Sequence, residues 1–350
     1  MQLVNIKNLT REELEDFVTN IGEPVYRAQQ IWDWIYRKHV LSFADMNNLP
    51  QGLRERMAEK AFISWPRLLK RQKAKDTIKY LLQLQDGQGI ETVLLRYKAW
   101  HSLCLSTQVG CAMGCKFCAS TRKGKVRDLS GAEMLDQVLF VQRELSHQGD
   151  KPITRLVLMG IGEPLDNYDN VIRFVHTAHD PAGINIGFRR ITLSTCGLVP
   201  GIMKLSQEGI PVNLAVSLHA PNNGLRDKIM PINKRYPLEE LLPACQKYTA
   251  RIGRRITFEY TLISGINDTI RHAEELTRLL ADFPCHINII PLNPIAECNY
   301  KPSSPATTAN FVKFLQTWGM SVTQRREMGQ SITAACGQLR LLRGGGKKRQ

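Results

Sequence analysis

The sequence predicts an α/β protein: a partial (β/α)6 barrel preceded by a small helical domain and a connecting β-hairpin. Three observations carry this reading. From residue 102 onward, short apolar runs alternate with segments of helical character, the pattern of βα units around a parallel sheet. Residues 1–65 show apolar residues at one-face helical spacing instead. Between them, two β-rich runs flank Asp86-Gly87, a strong hairpin signal.

In chain order, Thr10 with Glu13 forms a capping box ahead of Leu14, Phe17, Val18 and Ile21. Ile31, Trp32 and Ile35 continue on a second stripe, and LPQGLRERMAEK supplies a third short helix. Such stripes are core packing and are assigned no chemistry. TIKYLLQLQDGQGIETVLLRY is the hairpin. The strands that follow are SLCLSTQ, RLVLMG, RITLSTC, VNLAVSLH, RITFEYTLI and HINIIPLN, with helices expected over Gly131–His147, Pro237–Arg251 and Thr269–Phe283. Six strands are too few for an eight-stranded barrel, so the sheet is expected to stay open. The expected divisions are 1–65 (helical accessory domain), 66–96 (hairpin), 97–335 (core) and 336–350 (a loop and a basic tail).

Composition narrows the class of function. Of 350 residues, 43% are hydrophobic, enough for a substantial core. Lys and Arg total 47 against 32 acidic residues, a net charge of +15, which favours a polyanionic partner. No apolar run approaches the roughly 20 residues of a spanning helix. The amino terminus carries charges where a signal peptide is apolar, and no lipidation motif ends the chain. A cytoplasmic protein without membrane contact is expected, monomeric by default. Nine cysteines in a reducing compartment read as ligands, catalysts or buried thiols before structural disulfides.

Ligands of open α/β sheets gather beyond the carboxyl ends of the strands. There the sequence places Cys111–Cys118, Gly162-Glu163-Pro164, Ser194-Thr195, Ser217-Leu218-His219 and Asn293. The stretch CLSTQVGCAMGCKFCAS, Cys104–Ser120, holds Cys111, Cys115 and Cys118 as C-x-x-x-C-x-x-C. A structural zinc site wants four protein ligands, commonly two spaced pairs. Three thiolates with no nearby partner pair suit a [4Fe-4S] cluster that keeps one iron exchangeable; zinc or inert thiols are the alternative. Gly160-x-Gly162 read alone is a tight strand–helix turn, since Leu165 stands where a dinucleotide fingerprint needs its third glycine.

With these motifs the sequence resembles the radical S-adenosylmethionine superfamily. The resemblance implies that Cys111, Cys115 and Cys118 hold one cluster per chain and that S-adenosylmethionine chelates its open iron. It further implies that Gly162 and Glu163 meet the amino group of the methionine moiety, and that Ser194, Ser217, Leu218, His219 and Asn293 surround the ribose and adenine. SLCLSTQVGCAMGCKFCAS, MGIGEPLDNYDNV, RRITLSTCGLVP, AVSLHAPNNGLRDKIMPINKRYP and ITAACGQL narrow it to the RNA adenine methyltransferases of that superfamily, in particular the dual-specificity 23S rRNA and tRNA adenosine-C2 enzymes.

That narrower resemblance implies the chemistry. Carbon 2 of adenine is a poor nucleophile. One S-adenosylmethionine methylates Cys336, and a second yields the radical that takes a hydrogen from that methyl. The methylene radical adds to carbon 2, Glu91 in IETV takes the C2 proton, and Cys104 attacks the Cys336 sulfur. Methylated RNA leaves and a Cys104–Cys336 disulfide awaits reduction, with electrons from a donor the sequence does not name. A bland reading stands beside the Glu91 assignment: an exposed glutamate on a hairpin strand. Cys196, Cys245, Cys285 and Cys298 read as buried free thiols.

Lys116, Arg122, Lys123, Lys125 and Arg127 follow the cysteines closely and read as phosphate contacts, or as a solvated charged face. Lys347, Lys348 and Arg349, in a Gly-rich tail whose composition predicts disorder, would add salt-sensitive affinity. Two rival readings are an adenosine-C8 methyltransferase of the antibiotic-resistance branch and a non-enzymatic iron–sulfur RNA-binding module. GEPL and QVGCAMGC favour the C2 branch by resemblance.

Overall fold

The computed structural model describes residues 3–326, 328–340 and, for the backbone alone, 342–343. Lys347, Lys348 and Arg349 lie outside the described residues.

The amino-terminal unit contains β1 (Val4–Asn5), α1 (Arg11–Asn20), α2 (Tyr26–Tyr36), α3 (Gln51–Lys60) and β2 (Ala61–Phe62). Both halves of the Thr10–Glu13 capping box are present at the start of α1. Leu14, Val18, Ile31, Trp32 and Ile35 are buried, so the helical stripes are core. Next come β3 (Arg67–Ala74), β4 (Thr77–Gln83) and β5 (Gln88–Arg96), an antiparallel trio. The turn between β4 and β5 has Gly87 at φ 83° with the Gln88 amide donating to Asp86 at 3.0 Å, as the hairpin signal requires. The sequence reading missed β3. It is an edge strand, RLLKRQKA, mostly exposed, so its charges hide any alternation while blunting the open edge.

The core follows as β6 (His101–Cys104), β7 (Gln108–Gly110), β8 (Lys125–Asp128), α4 (Gly131–His147), β9 (Ile153–Leu158), α5 (Tyr168–His179), β10 (Ile191–Thr195), α6 (Val199–Glu208), β11 (Asn213–Ser217), α7 (Asn223–Ile229), α8 (Leu238–Ile252), β12 (Ile256–Leu262), α9 (Ile270–Leu280), β13 (Cys285–Pro291), α10 (Pro305–Thr317), β14 (Val322–Gln324) and β15 (Leu342–Arg343). One 11-stranded sheet runs β14-β13-β12-β11-β10-β9-β6-β5-β4-β3, with β15 beside the free end of β5. The six expected strands are β6 and β9 to β13; β14 extends the parallel set. The sheet has edges at β14 and β3, so the barrel is partial.

The first core strand ends earlier than SLCLSTQ suggested. After Cys104 the chain leaves the ladder, because the Gln137 side chain takes both the Ser106 amide and the Ser106 carbonyl, each at 3.0 Å. β7 and β8 then pair with each other and bracket the cysteine loop. The amino-terminal unit is tied to the core through a buried ion pair: the Lys7 ammonium meets Asp136 on α4, and the Ser64 hydroxyl donates to the same carboxylate at 2.7 Å. Among the described residues no helix is long and apolar enough to cross a membrane.

Candidate active site

The loop between β7 and β8 folds by backbone requirements as much as by its thiols. Gly110 sits at φ 79°, where a Cβ would lie 2.0 Å from the Gly124 carbonyl. The Lys116 amide donates to Ile229 at 2.9 Å, and the Thr121 hydroxyl donates to the Cys115 and Cys118 carbonyls at 3.2 and 3.1 Å. Held in this way, Cys111, Cys115 and Cys118 all line one cleft at the carboxyl ends of the strands, enclosing about 930 Å³ including the space at its mouth.

Gly162, Glu163, Ser194, Ser217, His219, Asn293 and Cys336 line the same cleft. Gly162 has φ 111°, and a Cβ there would come within 2.7 Å of Gln108, so only glycine fits. Gly160 likewise abuts the Leu105 backbone, leaving no room for a side chain there. The buried Glu163 carboxylate accepts amides of Leu165 (3.1 Å) and Cys196 (2.7 Å). Leu218 is not brought to the cleft: it is fully buried, and its carbonyl accepts the Arg226 Nε at 3.2 Å.

Cys104 lines an adjoining cavity enclosing about 630 Å³, and Cys336 lines that cavity too. The two cysteines therefore line one cavity. All nine cysteines are free, so no disulfide joins them here. Glu91 lies beyond the walls of both cavities. It is 2% exposed, not the exposed glutamate of the bland reading. Lys79 Nζ lies 2.8 Å from one carboxylate oxygen, and the Arg340 amide donates to the other at 2.8 Å.

The segment carrying Cys336 crosses from β14 to β5 over the open side of the barrel. Its Gly337 carbonyl accepts the Ala119 amide at 2.8 Å, and Ser120 donates to the Leu339 carbonyl at 2.8 Å. The Asn293 amide donates to the Cys336 carbonyl at 3.2 Å and accepts from Gln330 at 3.0 Å. Lys79 reaches the Thr333 carbonyl and hydroxyl at 3.1 and 3.2 Å. Replacing Lys79 with methionine leaves the Glu91 charge buried and unpaired, which costs about 3 kcal/mol. The expected result is a Tm lower by roughly 4 °C, with the segment around Cys336 exchanging its amides faster. An unchanged melt would show that this ion pair does not hold the loop.

Burial dominates the electrostatics. It pushes the Cys111 thiol up to about 12 and Cys115 well above the usual thiol range, with the neighbouring cysteines and Glu163 adding to the effect. Burial also raises Glu163. It lowers His219 to about 3, with Arg226 contributing. The His219 Nδ1 accepts the Thr261 amide at 2.9 Å, so the neutral ring carries its proton on Nε2. An unfolded histidine takes up a proton near 6.5 and the folded one only near 3. The stability due to neutral His219 is therefore complete above about pH 6.5 and is lost as pH falls toward 3. Between pH 7 and 4.5 a His219→Asn variant should lose about 2 kcal/mol less stability than the parent. Equal acid limbs in urea titrations would sink this assignment.

Several cavity residues had no signal in the sequence. Arg325, just past β14, and Glu259 on β12 line the cleft. Cys196 is buried as expected yet also faces the cleft, while Cys298 is only half-buried. The basic run divides. Lys125 bridges Asp128 and Asp166, each at 2.8 Å, and Arg127 bridges Asp86 and Glu133 at 2.7 and 2.8 Å. Those two cations are thus engaged within the protein, whereas Lys116, Arg122 and Lys123 are exposed.

Comparison with known proteins agrees with this geometry. Residues 4–63 match the family model of the ribosomal RNA large subunit methyltransferase N-terminal domain, and residues 105–280 match that of the radical SAM superfamily. A protein of Desulforamulus reducens named "probable dual-specificity RNA methyltransferase RlmN" is 48% identical over 96% of this chain and 96% of its own. Its counterpart in Geobacillus kaustophilus is 47% identical over 97% and 93%. The crystal structure of a radical SAM methyltransferase from Sphaerobacter thermophilus superposes with a TM-score of 0.93 at 43% identity, covering 96% of this chain and 99% of that one.

Proposed function

Since the chain belongs to the RlmN family of radical SAM methyltransferases, we propose that it methylates carbon 2 of adenosine in 23S rRNA, at the peptidyl-transferase centre, and in tRNA, 3′ of the anticodon. The observation that carries this reading is the single wall shared by Cys104 and Cys336, beside a cleft lined by Cys111, Cys115 and Cys118. A simple iron–sulfur binding module has no use for that second pair of thiols.

The family implies a [4Fe-4S] cluster and S-adenosylmethionine, and the residues present fit both. Cys111, Cys115 and Cys118 line one cleft, the first two buried and the third half-buried. Three thiols presented to one cleft suit a [4Fe-4S] cluster that keeps one iron open to a cofactor. Cys111, Cys115 and Cys118 would hold the cluster, with Gly162, Glu163, Ser194, Ser217, His219 and Asn293 around the cofactor. When bound, cluster and cofactor together supply a methyl group and a carbon-centred radical.

The remaining work belongs to side chains of this protein. Cys336, on the wall between the two cavities, carries the methyl carbon to adenine. Cys104 releases the product by attack on the Cys336 sulfur, leaving a disulfide that a reductant reopens. Glu91 would accept the C2 proton once its contacts with Lys79 and the Arg340 amide loosen. The units over 1–65, 66–96, 97–335 and 336–350 would divide RNA contact, sheet extension, radical chemistry and carbon transfer among them.

The test is anaerobic. The reconstituted protein is given reductant, S-adenosylmethionine and either protein-free 23S rRNA or tRNA, and nucleosides are identified by mass spectrometry. 2-Methyladenosine is expected from both RNAs. 8-Methyladenosine would move the protein to the resistance branch, and no methylated adenosine with an intact cluster would overturn the RNA assignment.

A further inference from the structure

Two adjacent arginines follow β14, and they part company. The Arg326 guanidinium turns outward to Asp76 at 2.7 Å. The Arg325 amide donates to the Ile289 carbonyl at 2.8 Å, which holds its backbone to β13 and sends the side chain inward. There its Nη1 lies 3.6 Å from the Met159 sulfur. Arg325 lines the cysteine cleft, the adjoining cavity of Cys104 and the polar lumen beneath them. The ionisable groups facing its guanidinium are Cys336, Glu259, Cys104 and Tyr97. Glu259 is held from the other side by Asn288, which donates to it at 2.8 Å.

Cys104 sees a smaller set. Cys336 on the loop and Arg325 beside β14 are the ionisable groups that face it, with backbone of Met159. Burial pushes its thiol up to about 12, Cys336 adds to that, and Arg325 works against both. Disulfide exchange is carried by thiolate, so a thiol so deeply buried needs a nearby positive charge to react near neutrality. A guanidinium stays charged across that range.

We propose that Arg325 is the cation that activates Cys104 for product release. The inference rests on the two-cysteine reading above. The Cys104 thiolate attacks Cys336 Sγ, the S–S bond forms and the bond from Cys336 sulfur to the RNA-bound methylene breaks. The electron pair of that bond passes into the modified adenine, whose methylene takes up a proton from solvent to become the methyl. The guanidinium stabilises the attacking thiolate throughout.

The experiment follows the covalent protein–RNA adduct on denaturing gels, using the full chain reconstituted anaerobically and a tRNA anticodon stem-loop. Arg325→Met, Arg325→Lys and Cys104→Ala are compared with the parent between about pH 7 and pH 9. Cluster absorbance checks that each variant folds and loads. Cys104→Ala should hold its adduct at every pH. Arg325→Met should release it about tenfold more slowly than the parent at pH 7, approach the parent as pH rises, and be rescued by Arg325→Lys. Release at the parental rate would overturn the assignment, as would an Arg325→Met adduct as pH-insensitive as that of Cys104→Ala. An Arg325→Met protein that forms no adduct would move the cation to Cys336 methylation and equally overturn it. Absence of an adduct in Cys104→Ala would remove the two-cysteine reading together with this inference.

Discussion

A Cys336→Ala variant should retain its cluster and lose methylation by at least about a thousandfold, since the thiol proposed to carry the carbon is gone and only binding and orientation remain. The structure argues that this loss is chemical. Cys336 is pinned through its carbonyl by Asn293, and its neighbour Gly337 is bonded to Ala119, so both contacts use backbone and survive truncation of the side chain. Cys336 lines the two cavities, and among the described residues its thiol makes no hydrogen bond that holds the loop. Iron content, visible absorbance and Tm should therefore match the parent while methylated adenosine disappears. Residual turnover above about one part in a thousand would mean that carbon reaches the base without this thiol.

Cys118→Ala should be as inactive for a different reason. Its backbone is held by the Thr121 hydroxyl on the Cys118 carbonyl at 3.1 Å, so the loop keeps its path. On the proposed assignment, two of the three cluster thiolates would then remain. Iron and sulfide analysis should fall well below stoichiometry, the charge-transfer absorbance should vanish, and methylation should drop by at least about a thousandfold. Melting temperature measured without iron should change little. Full iron loading in this variant would transfer the ligand role to another thiol in the cleft, with Cys196 the first to test.

The two variants separate what the sequence made legible from what it left dark. The cysteine loop, GIGEPL and the strand ends could be read because each is local: a spacing, a glycine forced by positive φ, a strand running into polar residues. The cleft gathers them because parallel strands present their carboxyl ends to one side. Arg325 and Glu259 had no local signal, since a charged residue near a strand is ordinary until the barrel encloses it. The burial of Glu91 stayed hidden for the same reason, because it depends on Lys79 and on Arg340 far along the chain. β3 escaped because its edge faces are charged and carry no apolar alternation. The split of Lys125 and Arg127 from Lys116, Arg122 and Lys123 likewise needs the fold, as Asp166 and Asp86 come from elsewhere in the sequence.

The grip of Lys79 on Thr333 spans 254 residues, and that of Glu91 on Arg340 spans 249. Contacts of such sequence separation form late, after the chain has met the entropy of closing the intervening loop. During synthesis, β4 and β5 leave the ribosome with Lys79 and Glu91 able to pair with each other, while their further partners Thr333 and Arg340 have yet to be translated. The helical unit and the parallel strands can consolidate in that interval; the wall shared by Cys104 and Cys336 cannot. The nascent chain can thus complete its scaffold before the residues proposed as its reactive centre meet, and a chain ending just before Thr333 should fold yet not methylate.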